Sequence, residues 1–222
     1  MKAKKTYSKL KKLLLVTLLV GLLPVIYFST VSVKAYFDTP TIVSKIYSSN
    51  KIKIRIEDIP INLQEILLKV EDPAFYYHNG IDLKTPGAGY TTITQAIVKV
   101  YFFDGFTPGF LRYKKIKQSL IALIFNSRVD KNTQLDIFIN SVYLGNYKNK
   151  EVIGFVDGAK TYFDKEFSEL STDEYLSLVA MIIAPNDFSI AKHPEKNKDR
   201  VERIKKLLKG EYKPTSLTDV YY

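Results

Sequence analysis

Two adjacent carboxylates, Glu71 and Asp72, lie at the end of a segment whose apolar residues have helical spacing. One face of this helix is formed, at positions i, i+3, i+4 and i+7, by Leu63, Ile66, Leu67 and Val70. Glu71 occupies position i+8 of the same face, where a core hydrophobic residue was due. A carboxyl group at an apolar edge beside a second carboxylate should have a raised pKa, which suits a general base or acid. The alternative is a solvated helix end, because Pro73 stops the helix just after the pair.

The composition restricts other kinds of catalytic centre. The chain of 222 residues has no cysteine and two histidines, His78 and His193. This excludes a cysteine nucleophile, a disulfide scaffold and a thiolate zinc site, and a multi-histidine metal site is not expected. Of the net charge of +10, six charges belong to lysines within residues 1–12, so the other 210 residues carry 27 basic and 23 acidic groups, or +4. A basic nucleic-acid-binding face is therefore not required.

A membrane anchor is predicted near the N-terminus. Residues 13–33 are uncharged and, at about 1.5 Å per residue, long enough to cross a bilayer core as one helix. The lysines of residues 1–12 precede this span, so the positive-inside rule keeps this basic tail in the cytoplasm and places the rest of the chain outside. Two alternatives are a signal peptide cleaved near Ala35 and a buried core helix. A second apolar stretch, residues 101–111, is interpreted equally well as a membrane contact or as core packing.

The exported part is predicted to contain an entry segment and one mainly α domain. Residues 34–60 are expected to be extended and membrane-proximal, because residues 51–57 (KIKIRIE) alternate and Pro40 and Pro60 interrupt the segment. The domain, residues 61–222, is predicted to include helices at residues 63–70, 135–143, 171–183 and 196–209. The third of these begins with a capping-box sequence and is apolar nearly all round, which is typical of a buried core helix.

Six segments along this domain form an ordered series of motifs. They are residues 71–82 (EDPAFYYHNGID), 92–99 (TITQAIVK), 114–118 (KKIKQ), 138–145 (FINSVYLG), 159–185 and 194–200 (PEKNKDR). In this order they resemble the signatures of the peptidoglycan glycosyltransferases (glycosyltransferase family 51), which build glycan strands from lipid II. The first signature, Glu-Asp-x-x-Phe-x-x-His-x-Gly, is met at every fixed position. An ordered series is far more specific than any single motif.

The resemblance implies a fold, a reaction and a location. The fold would be mainly α, a lysozyme-like helical glycosyltransferase domain behind a single N-terminal transmembrane helix. The reaction would be an inverting glycosyl transfer that polymerises lipid II and releases polyprenyl pyrophosphate. Because 19 residues follow Arg203, a monofunctional biosynthetic transglycosylase without a penicillin-binding domain is expected. It would be a single-pass protein of the bacterial cytoplasmic membrane, with its N-terminus inside and its domain outside.

The resemblance also implies roles for particular residues and partners. Glu71 would be the catalytic base, with Lys99 and Arg200 as the cations that face the leaving pyrophosphate. The full set of substrate-binding residues would be Thr94, Gln95, Lys99, Lys114, Lys115, Gln118 and Arg200. The site would be supported by Asp72, Phe75, His78 and Asn140. No metal ligand is assigned, and a divalent cation, Mg²⁺ or Mn²⁺, stays an open alternative. The expected partners are lipid II, the growing glycan strand, the membrane and penicillin-binding transpeptidases, but not nucleic acid.

Two departures from the family pattern keep other functions open. Gln118 occupies the position of a glutamate, so its i, i+4 pair with Lys114 is an amide and a cation instead of a salt bridge. The stretch between the first two motifs, residues 83–91, is shorter than the family's. One alternative is therefore a catalytically impaired relative that binds lipid II or acts as a cell-wall scaffold. Another is a lysozyme-like hydrolase, since one glutamate in a helical domain can also act as an acid.

Overall fold

A single long helix, α1 (Lys2–Ser48), begins the chain. The structure, a computed structural model, describes residues 2–103 and 112–220. The first part of α1 exposes large apolar side chains, among them Leu14, Leu15, Leu19, Val20, Leu23, Val25 and Ile26. In the described part of the chain, one helical stretch, Leu19–Ser48, is long and apolar enough by length and composition to cross a membrane. This agrees with the single N-terminal membrane helix that the sequence predicts.

The second part of α1 packs against the rest of the protein. Ala35, Thr39 and Ile46 are buried at helical spacing, and α1 contacts the helix α4 (Arg112–Arg128). The guanidinium of Arg128, at the end of α4, lies 4.2 Å from the centre of the Tyr36 ring. Its Nη1 also donates a hydrogen bond to the Tyr36 hydroxyl at 3.1 Å. The anchor helix is thereby joined to the domain without a linker.

The prediction of an extended segment at residues 34–60 is wrong for its first half, because α1 continues to Ser48. Pro40 lies inside α1, where it removes one backbone hydrogen bond at a cost of about 3 kcal/mol. Burial of the inner face of α1 offsets this cost, which is why the proline does not end the helix. Residues 51–55 form no strand, and Ile56–Asp58 form a short 3₁₀ helix.

The domain core is built around α7 (Thr172–Met181), the helix that the apolar pattern predicts to be buried. Six side chains of α7 itself are buried, all beyond its first turn: Tyr175, Leu176, Leu178, Val179, Ala180 and Met181. The helices that pack around it or around each other are α2 (Ile61–Glu71), α3 (Ile93–Tyr101), α5 (Lys131–Ser141), α6 (Phe155–Phe163) and α8 (Pro194–Lys209). Of these, α2, α6 and α8 contact α7 directly, whereas α3 packs against α4 and α5. The mainly α fold is confirmed.

Local signals place several helix ends. The predicted capping box of α7 is present: the Ser171 hydroxyl accepts a hydrogen bond from the Glu174 N–H, and the Glu174 carboxylate accepts one from the Ser171 N–H. The left-handed Gly210, with φ +75°, ends α8 as predicted. The predicted helix at 135–143 begins four residues too late and ends two residues too late, because α5 runs from Lys131 to Ser141.

A two-stranded antiparallel sheet follows α5 directly. It consists of β1 (Tyr143–Tyr147) and β2 (Lys150–Ile153). Gly154, just after β2, packs so closely that a Cβ on it would stand 2.8 Å from the backbone oxygen of Asn140. Only glycine allows this approach, and its φ of +82° also favours glycine. This long-range contact turns the chain out of α5 into a hairpin, which apolar spacing alone does not indicate.

Candidate active site

An open cleft of about 500 Å³ lies at the point where α2 ends and α3 begins. Three of the residues expected to do chemistry line this cleft: Glu71 at the end of α2, Lys99 on α3 and Arg200 on α8. They come from three different helices, and Arg200 is 129 residues from Glu71 along the chain. Apolar walls are provided by Val70, Ile93, Ala96, Phe138, Ile182 and Ile183. The cleft therefore combines one carboxylate with two cations on a largely apolar background.

Glu71 has the acid–base properties expected of a general base. Its side chain is partly exposed at the cleft but otherwise enclosed by protein. Burial raises the pKa of Glu71 to about 7, against the opposing effect of the nearby Arg200 guanidinium and with a smaller contribution from Asp72. A carboxylate with this pKa can accept a proton near neutral pH and release it again. The solvated helix end that the sequence left open does not describe Glu71.

Asp72 is fully buried and ties α2 to α3. One of its oxygens accepts a hydrogen bond from the Ile93 N–H at 2.9 Å, at the N-terminus of α3. The other lies 2.9 Å from Nε2 of His78. His78 Nδ1 accepts a hydrogen bond from the Gly80 N–H at 3.0 Å, so Nε2 carries the proton and donates it to Asp72. Asp72 and His78 thus orient the backbone that carries Glu71, the supporting role that the sequence assigned to them.

A further residue of this group, Lys131, was not predicted from the sequence. Its Nζ donates a hydrogen bond to the His78 carbonyl at 3.0 Å and lies 4.3 Å from the centre of the buried Phe75 ring. Burial lowers the pKa of Lys131, while the nearby Asp72 carboxylate opposes that shift. Lys131 therefore compensates the buried charge of Asp72. It lies 53 residues from His78 along the chain, outside every motif, so nothing local indicates it.

Two residues predicted to bind substrate, Thr94 and Gln95, lie in the interior of the protein. The Thr94 hydroxyl donates a hydrogen bond to the Gln134 side chain on α5 at 2.7 Å. Gln95 Nε2 donates to the Ser119 hydroxyl on α4 at 2.9 Å, and Gln95 Oε1 accepts from the Thr92 N–H at 3.1 Å. These side chains therefore hold α3 against its neighbours instead of facing the cleft. Lys99, one helical turn after Gln95, is the exposed residue of this motif.

The motif of α4 contributes a second lysine close to Lys99. Lys115 Nζ donates hydrogen bonds to the Thr91 hydroxyl at 3.2 Å and to Gln95 Oε1 at 3.4 Å. Burial, together with the positive charge of Lys99, lowers the pKa of Lys115 to about 8. Thr91 lines the cleft, so Lys115 contacts its edge. Lys114 is half-buried and is not among the described residues that line the cleft.

Gln118 is buried and its amide Nε2 donates a hydrogen bond of 2.7 Å to the Gln95 backbone carbonyl. A glutamate here has no proton to donate when ionised, so its carboxylate would face a carbonyl oxygen. The Gln118 amide therefore stabilises the contact between α3 and α4 in a way that a glutamate could not.

We therefore expect Gln118→Glu to leave glycosyl transfer unchanged or to reduce it. It should also lower the free energy of unfolding by about 1–3 kcal/mol, because it replaces a buried hydrogen bond by an unsatisfied charge. Thermal unfolding together with an activity assay measures both effects. Gln118→Met, which removes the donor without adding charge, is the control and should be less destabilised above pH 7. A clear gain of activity in Gln118→Glu would contradict this expectation.

Asn140, another predicted supporting residue, fastens the entry segment to α5. Its Nδ2 donates to the Ile54 carbonyl at 2.7 Å and to the Asp136 carbonyl at 2.8 Å, and its Oδ1 accepts from the Lys53 N–H at 2.8 Å. Asn140 thereby fixes the chain that leads from the membrane helix into the domain. Its contacts are structural, and Asn140 is not among the described residues that line the cleft.

The described residues contain no group of three or more acidic or histidine side chains that could hold a metal ion. Both oxygens of Asp72 are already engaged, by His78 and by the Ile93 N–H. The donor set around the cleft therefore does not fit a protein-bound divalent cation, and we derive no step through one. The apolar residues 104–111, part of the predicted membrane-contacting stretch, lie outside the described residues.

Comparison with known proteins identifies the family of the chain. Residues 39–209 match the family model for transglycosylases. Penicillin-binding protein 1F of Bacillus subtilis is 33% identical over 175 residues, which cover 73% of this chain and 24% of that protein. Penicillin-binding protein 1A of Streptococcus oralis is 26% identical over 198 residues, 82% of this chain and 30% of that protein. Penicillin-binding protein 1B of Escherichia coli is 28% identical over 185 residues, 76% of this chain and 22% of that protein.

The chain thus spans less than a third of the length of these curated relatives. The family match itself covers most of this chain and every motif from Glu71 to Arg200. The protein therefore belongs to the transglycosylase family, the peptidoglycan glycosyltransferases of glycosyltransferase family 51.

Proposed function

We propose that this chain is a peptidoglycan glycosyltransferase that polymerises lipid II into glycan strands. The observation that carries the proposal is the meeting of Glu71, Lys99 and Arg200 in one cleft, together with a pKa of about 7 for Glu71. A general base and two cations are what an inverting displacement at a sugar diphosphate requires. No covalent nucleophile is needed, which fits a chain without cysteine.

In the proposed reaction, a sugar hydroxyl of the incoming lipid II attacks the anomeric carbon of the growing strand. Glu71 accepts the hydroxyl proton as the new C–O bond forms. The bond between the anomeric carbon and the phosphate oxygen breaks, and its electron pair leaves with the polyprenyl pyrophosphate. Lys99 and Arg200 stabilise the negative charge that develops on this leaving group, Arg200 through its planar donor fork and Lys99 as a point charge.

Purified protein added to fluorescent lipid II, followed by a glycan gel, tests the proposal. A ladder of strands is the expected result. Absence of any product would support the impaired, binding-only alternative. Preformed strands should be added in a parallel reaction, because their shortening would instead indicate a hydrolase.

The pH profile should be bell-shaped, since Glu71 must have lost its proton and Lys115 must have kept its proton. Glu71 accepts a proton only when ionised, so kcat/KM should rise as the pH increases through about 7. Lys115 loses its positive charge as the pH passes about 8, so the rate should fall again above that value. Lys115→Arg should move the alkaline limb upward, because arginine stays protonated. A profile that is flat between pH 6 and 9 would contradict these assignments.

We propose further that the protein is a single-pass protein of the bacterial cytoplasmic membrane, with residues 1–12 inside and the domain outside. The support is the lysine cluster before the apolar part of α1. Outside the membrane, the strands would be substrates for penicillin-binding transpeptidases acting as separate partners. This is a proposal from the reaction product and from the names of the relatives.

The absence of cysteine makes this topology easy to test. Single cysteines at Ser8 and at the exposed Ser168 report on the two sides of the membrane. In intact cells, a membrane-impermeant maleimide should label Ser168→Cys and should label Ser8→Cys only after permeabilisation. The reverse pattern would overturn the orientation.

A further inference from the structure

The segment after α8 returns to the cleft. Residues 214–220, which we call the C-terminal strap, lie along the short loop that departs from the family pattern. The Gly87 N–H donates to the Ser216 carbonyl at 2.9 Å, and the Gly89 N–H donates to the Leu217 carbonyl at 2.8 Å. The shortened loop is therefore stabilised by a part of the chain more than 120 residues away in sequence.

The end of the strap covers Arg200. Arg200 is almost fully buried, and its Nη1 donates a hydrogen bond to the Val220 carbonyl at 3.0 Å. Thr218 and Val220 line the cleft beside Glu71. A Cβ on Gly89 would stand 3.3 Å from Cγ1 of Val220, so loop and strap are in close contact. The strap thus accepts a hydrogen bond from Arg200, the residue proposed to stabilise the leaving pyrophosphate.

A hydrogen-bonded turn holds the strap in this position. The Asp219 carboxylate accepts a hydrogen bond from the Tyr212 hydroxyl at 2.5 Å. It also accepts from the Thr215 N–H at 3.0 Å and from the Thr215 hydroxyl at 3.3 Å. Asp219 is next to Val220 in sequence, so this turn sets where the Val220 carbonyl lies. None of these three side chains lines the cleft as the described residues define it.

We propose that the C-terminal strap is a gate that competes with the substrate diphosphate for Arg200. In the structure, the Val220 carbonyl accepts a hydrogen bond from the buried Arg200 guanidinium. Leaving this buried N–H without an acceptor would cost free energy. A diphosphate forms charge-assisted hydrogen bonds, which are roughly twice as strong as those to a neutral carbonyl, so it displaces the strap when it binds. The inference rests on the proposed function, because it assigns a diphosphate ligand to Arg200.

Binding of inorganic pyrophosphate to the full chain in detergent tests the gate, measured by calorimetry at constant ionic strength. Asp219→Ala removes the side-chain hydrogen bonds of the turn without changing a residue that lines the cleft. It should bind pyrophosphate about fivefold more tightly than the unaltered protein, the effect of about one lost hydrogen bond. A chain that ends at Lys213 should bind at least about tenfold more tightly, since the whole competitor is gone. Asp157→Ala is the matched control. The Asp157 carboxylate also has a partner, Lys53, but neither residue is among the described residues that line the cleft, so binding should not change.

Hydrogen exchange gives a second readout that works in the unaltered chain. The Gly87 and Gly89 amides are protected by the strap, so pyrophosphate should speed their exchange while core amides of α7 stay unchanged. Unchanged or weaker pyrophosphate binding in both strap variants, or no binding to any variant, would overturn the gate. So would unchanged exchange at the two glycines under saturating pyrophosphate. The glycan gel reports the proposed function separately, because it measures turnover and not release of the strap.

Discussion

Glu71→Gln should reduce lipid II polymerisation by about 10² to 10⁴-fold while leaving the helical domain folded. The substitution keeps the volume of the side chain but replaces the carboxylate by a neutral amide, which cannot accept a proton. Glu65→Gln is the matched control, because Glu65 lies on the same helix and is exposed to solvent. Wild-type rates in Glu71→Gln would exclude Glu71 as the base, whatever the other residues of the cleft do.

The same variant should be more stable than the wild type above neutral pH. The pKa of Glu71 rises from an ordinary value of 4.5 to about 7 in the folded protein, so the folded chain binds this proton more tightly than the unfolded chain does. The contribution of Glu71 to stability therefore falls as the pH increases from about 4.5 to 7. Glu71→Gln removes this loss and should raise the free energy of unfolding at pH 8 by about 1–3 kcal/mol, with little difference at pH 4. Loss of activity with a gain of stability is the pattern of a functional group, and a purely structural glutamate would not show it.

Lys99→Met should lower kcat by about 10² to 10³-fold, the usual effect of removing one preorganised charge from a transition state. Lys99 is exposed to solvent at the cleft, so the substitution does not disturb the core and the fold should be retained. Lys206→Met, at an exposed position of α8, is the control and should retain full activity. Lys99→Arg should retain part of the rate, because it keeps the charge but changes its geometry.

A second readout distinguishes this electrostatic role from a loss of packing. The positive charge of Lys99 helps to lower the pKa of Lys115. In Lys99→Met the alkaline limb of the pH profile should therefore move to higher pH. A large loss of activity without such a movement would mean that the two lysines are not electrostatically coupled in the working enzyme.

Much of the fold follows from short-range patterns. The apolar spacing that ends at Glu71 correctly predicts α2, and the capping box at Ser171 correctly predicts the start of α7. These signals are reliable because helix periodicity and capping involve residues three or four positions apart. The same short range explains the error at Pro40. The local preference of proline predicts a break there, but α1 continues through Pro40 because burial against α4 outweighs that preference.

For the candidate site, the order of the motifs indicates which segments come together in space. It does not indicate which side chains of a motif face the cleft and which contact other helices. Glu71, Lys99 and Arg200 do meet in one cleft, whereas Thr94 and Gln95 of the same motif as Lys99 lie in the interior. A motif contains cleft-facing positions and buried positions without distinguishing them. The reason is that a buried hydrogen bond between helices restricts the residue type as strongly as a substrate contact does.

By itself, then, the sequence predicted an apolar N-terminal helix and the helical class of the domain, since both depend on periodicity, length or neighbouring residues. The assignment of Glu71 as the base comes from the order of the motifs and stays a prediction. The tertiary structure alone decided that Lys131 compensates Asp72 and that the strap reaches Arg200 through Val220. It also decided that Gln118 donates to the backbone of α3 instead of facing a substrate. These contacts join residues that are 20 to 59 positions apart, and their geometry depends on the path of the whole chain between them. No local pattern encodes that path, because it is set by how the helices pack around α7.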